Sequence, residues 1–205
     1  MEPGRGPCCP HDRPRAALVE VATNKPNPSP HQPPQETRLQ PVVVVLSQVA
    51  SVLEEFAAGF SGKASPVHHF WHTFDIAHSR FSGRRVDQPR RADPVTREAY
   101  SSEVISFGFW FGDDTFAEPA FYSYTAPEPA GLAEAPLSPA SAQWVARGDS
   151  HLAVLRYDAA RAEADPRAAV LAFYESAYQA GAGRAGWDIA ALACPGGITD
   201  PVRRI

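Results

Sequence analysis

Lysine is almost missing from this chain of 205 residues, which has two lysines against seventeen arginines and a formal net charge of −4. Nucleic-acid binding requires a clustered basic surface that neutralises phosphates, and this composition offers none. The excess of arginine accompanies many alanines, glycines and prolines, which is typical of a GC-rich coding sequence. We therefore expect no nucleic-acid partner, and we do not interpret the arginines as phosphate ligands on their number alone.

Cysteine is scarce, and its spacing excludes two classes of small domain. The three cysteines are Cys8, Cys9 and Cys194. An odd number with two adjacent residues does not make a disulfide framework. The sequence contains no C-x-x-C pair, so a structural zinc ribbon is excluded as well.

Long apolar runs are also missing. The longest, at 42–53, is interrupted by polar residues and is shorter than the ~18 residues that cross a bilayer. The apolar run at 16–22 is too short for a signal peptide and contains Glu20. We expect a soluble, cytoplasmic protein with no membrane partner.

The common nucleotide-binding and catalytic motifs are absent. Neither G-x-G-x-x-G nor G-x-x-x-x-G-K-[ST] occurs in the sequence. The segment GFSG at 59–62 lacks the G-x-S-x-G spacing of a nucleophile elbow. We therefore expect no nucleotide cofactor, and the sequence leaves open whether the chain is an enzyme.

Proline divides the chain into regions of different composition. Ten of the 21 prolines fall within the first 41 residues. The stretch KPNPSPHQPPQ at 25–35 cannot continue a helix or donate to a sheet, and it has little apolar surface to bury. We predict a disordered proline-rich tail over 1–40, a single domain over 41–193 and a second tail over 194–205.

Two helices are predicted from apolar residues at spacings of three and four. The first runs from residue 42 to about 60, with glycines at its end. The second covers 165–183, with Asp165 as N-cap and Pro166 at the first helical position. Its apolar stripe consists of Val170, Phe173, Tyr174, Ala177 and Tyr178. A short helix at 186–193 follows, with Trp187 as its anchor.

Three strands are predicted from alternation at 101–111, 119–127 and 151–158. The first two are joined by a short loop and predict an antiparallel hairpin. The intervening residues 127–141 are rich in Pro, Ala and Glu and are expected on the surface. The fold class is therefore α+β, with an antiparallel sheet of three to four strands flanked by helices.

The segment 67–81 contains three histidines close to Asp75 and a fourth, His78, behind it. In a helix, His68, His72 and Asp75 lie on one face and are placed to bind zinc or another divalent metal, with His78 as a fourth ligand. In a strand, His68 and His72 stand ~13 Å apart and no shared ion is reached. The residue types favour both structures, so a metal-dependent enzyme remains the alternative to a protein without a cofactor.

A second hypothesis places a ligand pocket on an aromatic face of the sheet. Aromatic clefts with a few convergent charges are typical of small-molecule sites. The candidate pocket residues are Trp71, Asp75, Arg80, Glu103, Trp110, Tyr122 and Tyr124. The structural alternative is an ordinary core in which Arg80 pairs with Glu103 across two strands.

Four long segments, at 60–84, 97–110, 118–132 and 155–178, resemble a bacterial family of unknown function, domain of unknown function 5996. The resemblance covers about residues 55–190 and is to the C-terminal half of that family. It implies a helix, antiparallel strands and a helix, which favours a strand at 67–81, and it brings no activity. It also implies that an N-terminal half is missing, which would leave apolar surface for self-association. We expect a binding module for a small ligand or a protein partner; a degenerate fragment without activity is a further alternative.

Overall fold

The structure, a computed structural model, describes residues 35–198 apart from 72, 114 and 115, with side chains described from residue 42 onward. Contacts divide the chain into two units, Met1–Gln40 and Pro41–Ile205, and the second is described below. Most of the predicted tail over 1–40 lies outside the described residues, as do the last residues of the predicted tail over 194–205.

The second unit consists of an antiparallel sheet with helices, the first of which begins before this unit, at Gln35. The helices are α1 Gln35–Ala58, α2 Pro94–Ala99, α3 Tyr157–Ala162, α4 Pro166–Arg184 and α5 Ile189–Leu192. The strands are β1 His68–Phe70, β2 Asp75–Arg85, β3 Ser102–Trp110, β4 Ala120–Ala126, β5 Gln143–Arg147 and β6 Ser150–Arg156. Short 3₁₀ turns at Leu132–Glu134 and Pro195–Gly197 complete the described elements.

The sheet has six strands in the order β1-β2-β3-β4-β6-β5, and every neighbouring pair is antiparallel. The α+β class and the β3–β4 hairpin are therefore confirmed, but the predicted number of three to four strands is too low. The prediction missed β5 and did not divide 67–81 into β1 and β2, because strands of three and five residues are too short to show an alternation. The expectation of a surface segment at 127–141 is also too simple, since Leu132 within it is buried.

The predicted helix α4 is confirmed together with its cap. The side chain of Asp165 accepts a hydrogen bond from the backbone N–H of Ala168, and Pro166 begins the helix. Its buried stripe is the predicted one, formed by Val170, Phe173, Tyr174, Ala177 and Tyr178. Burial of each large side chain contributes about 1.5–3 kcal/mol, so this stripe holds the helix on the sheet. The predicted helix from residue 42 is confirmed as well, although α1 begins earlier.

The two faces of the sheet carry different residues because side chains alternate along each strand. One face, called the helix face, packs against α1 and α4 and includes Ile76, Ile105, Phe107, Phe109, Phe121 and Leu155. The other, called the opposite face, includes Trp110, Ala120, Tyr122, Leu152 and Val154. The cross-strand register assigns each polar residue of these strands to one of the two faces in the same way.

Candidate functional site

The segment 67–81 forms β1 and the first part of β2, with a turn between them. Phe70 pairs with Asp75, so the chain reverses between these two residues. Phe74 closes the turn with φ of 57°, a left-handed conformation that is rare for a bulky residue. The extended structure favoured for 67–81 is present, but the segment is a hairpin and not one continuous strand.

The hairpin separates the residues of the metal hypothesis. Asp75 and His78 are three residues apart on β2 and therefore point to opposite faces. His78 donates through Nδ1 to the Ser65 carbonyl at 2.9 Å, whereas Asp75 accepts from Tyr122. His68 bonds the Pro66 carbonyl, and His72 lies outside the described residues. Within the part of the chain that the structure describes, no three His, Cys, Asp or Glu side chains are grouped to hold a metal.

The candidate pocket residues also fall into two groups. Asp75, Trp110, Tyr122 and Tyr124 lie on the opposite face, whereas Arg80 and Glu103 lie on the helix face. Trp71 is in the β1–β2 turn and is 86% exposed. The structure therefore brings the first four residues together and does not bring Asp75 to Arg80 or Glu103.

The cluster on the opposite face is a hydrogen-bonded and stacked network. The Tyr122 hydroxyl donates to Asp75 Oδ2 at 2.5 Å, and Thr73 donates to the other oxygen of that carboxylate. The Tyr122 ring stacks parallel to Tyr124 and lies 4.9 Å from the Trp110 ring. Burial, and then the neighbouring Asp75 charge, raise the pKa of Tyr122, so this phenol stays protonated and donating. Both oxygens of Asp75 are thus occupied by the protein.

Trp110 has an unused polar atom beside this network. Its indole Nε1 is buried without a hydrogen-bond partner among the described residues. The ring borders a hollow of about 50 Å³ that Val145, Leu152 and Val154 also line. This volume accommodates a small aliphatic group and is far below the several hundred Å³ of a typical small-molecule site.

Glu103 pairs with a different arginine from the one we predicted. Its Oε2 lies 2.8 Å from Arg84 Nη2 and accepts from the Trp187 indole N–H at 2.8 Å. The predicted Arg80–Glu103 pair does not form, because Arg80 stands opposite Ile105 and reaches toward α1. The half-exposed pair that forms contributes little to stability, about 0–1 kcal/mol.

Arg80 is a charged residue in the core of the helix face, where it is 2% exposed. Its Nη2 donates to the Phe56 carbonyl at 2.5 Å, near the C-terminus of α1. The guanidinium carbon lies 3.7 Å from the ring centroid of Phe56, 4.6 Å from that of Tyr178 and 5.0 Å from that of Phe60. Burial lowers the pKa of Arg80 to about 10, so the group remains cationic at neutral pH.

Three buried polar atoms around this guanidinium have no hydrogen-bond partner in the described part of the protein. They are Arg80 Nε, His78 Nε2 and the Tyr178 hydroxyl oxygen. Burial, with Arg80 as the second cause, lowers the pKa of His78 to about 4. Since its Nδ1 carries the proton donated to Ser65, the Nε2 of the neutral ring is an acceptor. Unsatisfied buried polar atoms are rare in native proteins, so their concentration here points to a site for a polar group.

Arg80 also borders a concavity on the helix side of the sheet, which we call the Arg80 cleft. The cleft has a volume of about 480 Å³. Its lining residues are Glu55, Phe56, Ala58, Gly59, Arg80, Leu171, Glu175, Gly196 and Gly197. Of these, only Arg80 was predicted from the sequence as a site residue. The available sign of a site was an arginine in phase with Ile76 on β2, and this sign could be seen only once the strand was assigned.

Comparison with known proteins identifies the family of this chain. The family described as "Family of unknown function (DUF5996)" matches residues 18–194. The chain belongs to the DUF5996 family. No curated protein and no solved structure matches the chain.

Membership of the DUF5996 family confirms the resemblance without adding an activity. The match begins at residue 18 and does not test whether an N-terminal half is missing, so self-association through an uncovered surface stays a prediction. In the described residues, no helix of this DUF5996 protein has the length and apolar character to cross a membrane.

Proposed function

We propose that this DUF5996 domain is a binding module that holds a small carboxylate-bearing molecule in the Arg80 cleft, on the aromatic-lined helix face of the sheet. The observation that carries the proposal is the state of Arg80. This guanidinium is buried and cationic, borders a cleft, and has an Nε–H without a partner among the described residues. A guanidinium in this state is suited to a ligand that brings hydrogen-bond acceptors and negative charge.

A carboxylate matches the donors and the walls of the cleft. Arginine offers a planar fork of N–H groups that fits the two oxygens of a carboxylate. Phe56 and Leu171 line the same cleft and favour an apolar ligand body. Its volume of about 480 Å³ lies within the usual range of small-molecule sites.

The structural alternative for Arg80 is that it only caps α1. Cations favour helix C-termini, and the last turn of α1 has no basic residue of its own. That role accounts for the bond from Nη2 to the Phe56 carbonyl. It accounts neither for the unpartnered Nε nor for the cleft beside the guanidinium. The network around Asp75 supports a ligand less well, because its carboxylate oxygens already accept from Thr73 and Tyr122.

The test is binding of simple carboxylates to the full chain with and without the Arg80 guanidinium. Acetate, butyrate and benzoate serve as probes, with inorganic phosphate as a comparison anion, in ligand-detected NMR titrations. We expect the carboxylates to bind the wild-type protein and to bind Arg80→Met at least tenfold more weakly. Arg84→Met is the matched control, since Arg84 lies four residues along β2 and pairs with Glu103 on the protein surface.

Two results would overturn the proposal. One is that no carboxylate binds the wild-type chain at millimolar concentration. The other is that Arg80→Met binds the probes as well as the wild-type chain does, whatever the result for Arg84→Met. Circular dichroism of each variant verifies that the fold is retained, and Arg80→Lys keeps the charge without the fork if the methionine variant does not fold.

A further inference from the structure

We infer that the ligand of the Arg80 cleft is a zwitterion, whose carboxylate is held by Arg80 and whose cationic amine is held by Glu175. This inference rests on the proposed function, because it requires the cleft to be a ligand site. It goes beyond that proposal by assigning a second charged group to the ligand and a residue that recognises it.

The first support is that two opposite charges line one cleft without pairing to each other. Arg80 and Glu175 both border the Arg80 cleft. The guanidinium uses Nη2 for the Phe56 carbonyl, and the carboxylate of Glu175 accepts from Gln179 at 2.6 Å. The two groups nevertheless interact electrostatically, since the Glu175 charge partly offsets the lowering of the pKa of Arg80. A molecule with one group of each sign can therefore contact both at once.

The second support is the state of the other carboxylate in the cleft. Glu55 forms a salt bridge with Arg167, so its charge is compensated by the protein. Glu175 has no basic partner at salt-bridge distance within the described ranges. An anion without a cationic group would gain the contact with Arg80 but would be repelled by Glu175. An amine on the same molecule converts this repulsion into an attraction.

The burial of the two charges sets the orientation of the ligand. Arg80 is 2% exposed and lies at the inner end, whereas Glu175 is exposed on the outer surface of α4. Leu171 precedes Glu175 by four residues, so both side chains lie on the same face of this helix. Leu171 also lines the cleft. The expected ligand class is thus a small amino acid-like molecule with a carboxylate end, a short apolar body and an amine end.

The test compares probes that differ only in the amine. Butyrate and 4-aminobutyrate form one pair, and propionate and 3-aminopropionate form a second with a shorter body. Each is titrated into the full-length wild-type chain and into Glu175→Gln, which keeps the shape and removes the charge. Glu54→Gln is the matched control, because Glu54 is an exposed neighbour of Glu55 on α1 that does not line the cleft.

We expect the amine to tighten binding to the wild-type chain at least tenfold in one of the two pairs. Glu175→Gln should lose that gain while binding the plain carboxylate as well as before or better, and Glu54→Gln should resemble the wild type. If plain carboxylates bind through Arg80 but the amine adds nothing, or the gain survives in Glu175→Gln, the zwitterion inference is wrong and the proposed function stands. If no carboxylate binds the wild-type chain, both are wrong.

Discussion

Arg80 and Phe56 contact each other twice: the guanidinium carbon lies 3.7 Å from the Phe56 ring centroid, and Nη2 donates to the carbonyl of the same residue at 2.5 Å. The ring contact is a cation–π interaction, and the carbonyl contact places positive charge at the C-terminus of α1. The pair therefore connects β2 to the end of the first helix. The contact should stabilise the fold whether or not a ligand is bound.

Truncating Arg80 to alanine should destabilise the domain more than replacing it with methionine, which is nearly as long and is uncharged. Arg80→Ala leaves a cavity among aromatic rings, and we expect a loss of about 2–4 kcal/mol in the free energy of unfolding. Arg80→Met fills most of that volume and removes a buried charge, so we expect a loss below ~1.5 kcal/mol. Urea unfolding of the three proteins measures the difference. Equal losses in the two variants would show that the charge, which both of them remove, and not the packing, dominates.

His78 should make the domain less stable in mild acid. Its folded-state pKa is lowered from 6.5 to about 4, so the unfolded chain binds the proton more readily than the folded one between these values. The contribution of His78 to the free energy of unfolding is therefore constant above pH 6.5, falls as the pH drops from 6.5 to 4, and changes no further below pH 4. The full loss is roughly 3 kcal/mol at 1.36 kcal/mol per pKa unit.

The measurement is the free energy of unfolding in urea at several pH values between 7 and 4. His78→Asn stays neutral throughout, so its stability should fall less over this range than that of the wild-type chain. His69→Asn is the control, because His69 is exposed on β1. Parallel pH profiles for wild type and His78→Asn would show that this imidazole does not carry the effect.

The helices and the central hairpin could be predicted because their patterns are local. Alternation over nine residues marks β3, and the cap at Asp165 with the stripe behind it marks α4. The segment 67–81 could not be assigned in the same way. Its first strand has only three residues, and aromatic residues continue through the turn. Strand propensity and a helical stripe therefore coexist in it, and cross-strand pairing decides the outcome.

The candidate site was predicted only in part, for a geometric reason. Asp75 and Arg80 are five residues apart on one strand, and an odd separation places them on opposite faces. We grouped them in one candidate pocket because the strand, and with it the face on which each side chain lies, was not known from the sequence. Glu175 and Tyr178 come from α4, about a hundred residues away in sequence. No spacing in the sequence predicts that they lie near Arg80. They lie there because α4 packs on the sheet.

Asp75 and Tyr122 should be energetically coupled. Their 2.5 Å hydrogen bond is buried, so loss of one partner leaves the other without its contact. We expect Tyr122→Phe and Asp75→Ala each to cost about 1–3 kcal/mol, and the double variant to cost less than the sum by ~1 kcal/mol or more. Tyr124→Phe is the control, since among the described residues the Tyr124 hydroxyl bonds Tyr100, at 3.3 Å, and Ser106, and not Asp75. Strict additivity in urea unfolding would contradict the coupling.

Two glycines near the end of α4 should respond oppositely to alanine. A Cβ at Gly181 would lie 2.3 Å from Thr125 Oγ1 and 3.0 Å from the Ile105 side chain, both on the helix face of the sheet. The absence of a side chain therefore lets α4 approach β3 and β4, and Gly181→Ala should cost about 1–3 kcal/mol through overpacking. A Cβ at Gly183 meets nothing within 4 Å.

Because alanine is the better helix former, Gly183→Ala should be neutral or stabilise by up to ~1 kcal/mol. The two variants change the same helix by the same atom, two residues apart, so propensity cancels in their comparison. Thermal and urea unfolding of both measure the difference, which we expect to exceed ~1 kcal/mol in favour of Gly183→Ala. Equal stabilities would mean that α4 is not held against Thr125 as closely as the structure has it, and the position of Glu175 at the Arg80 cleft would then need revision.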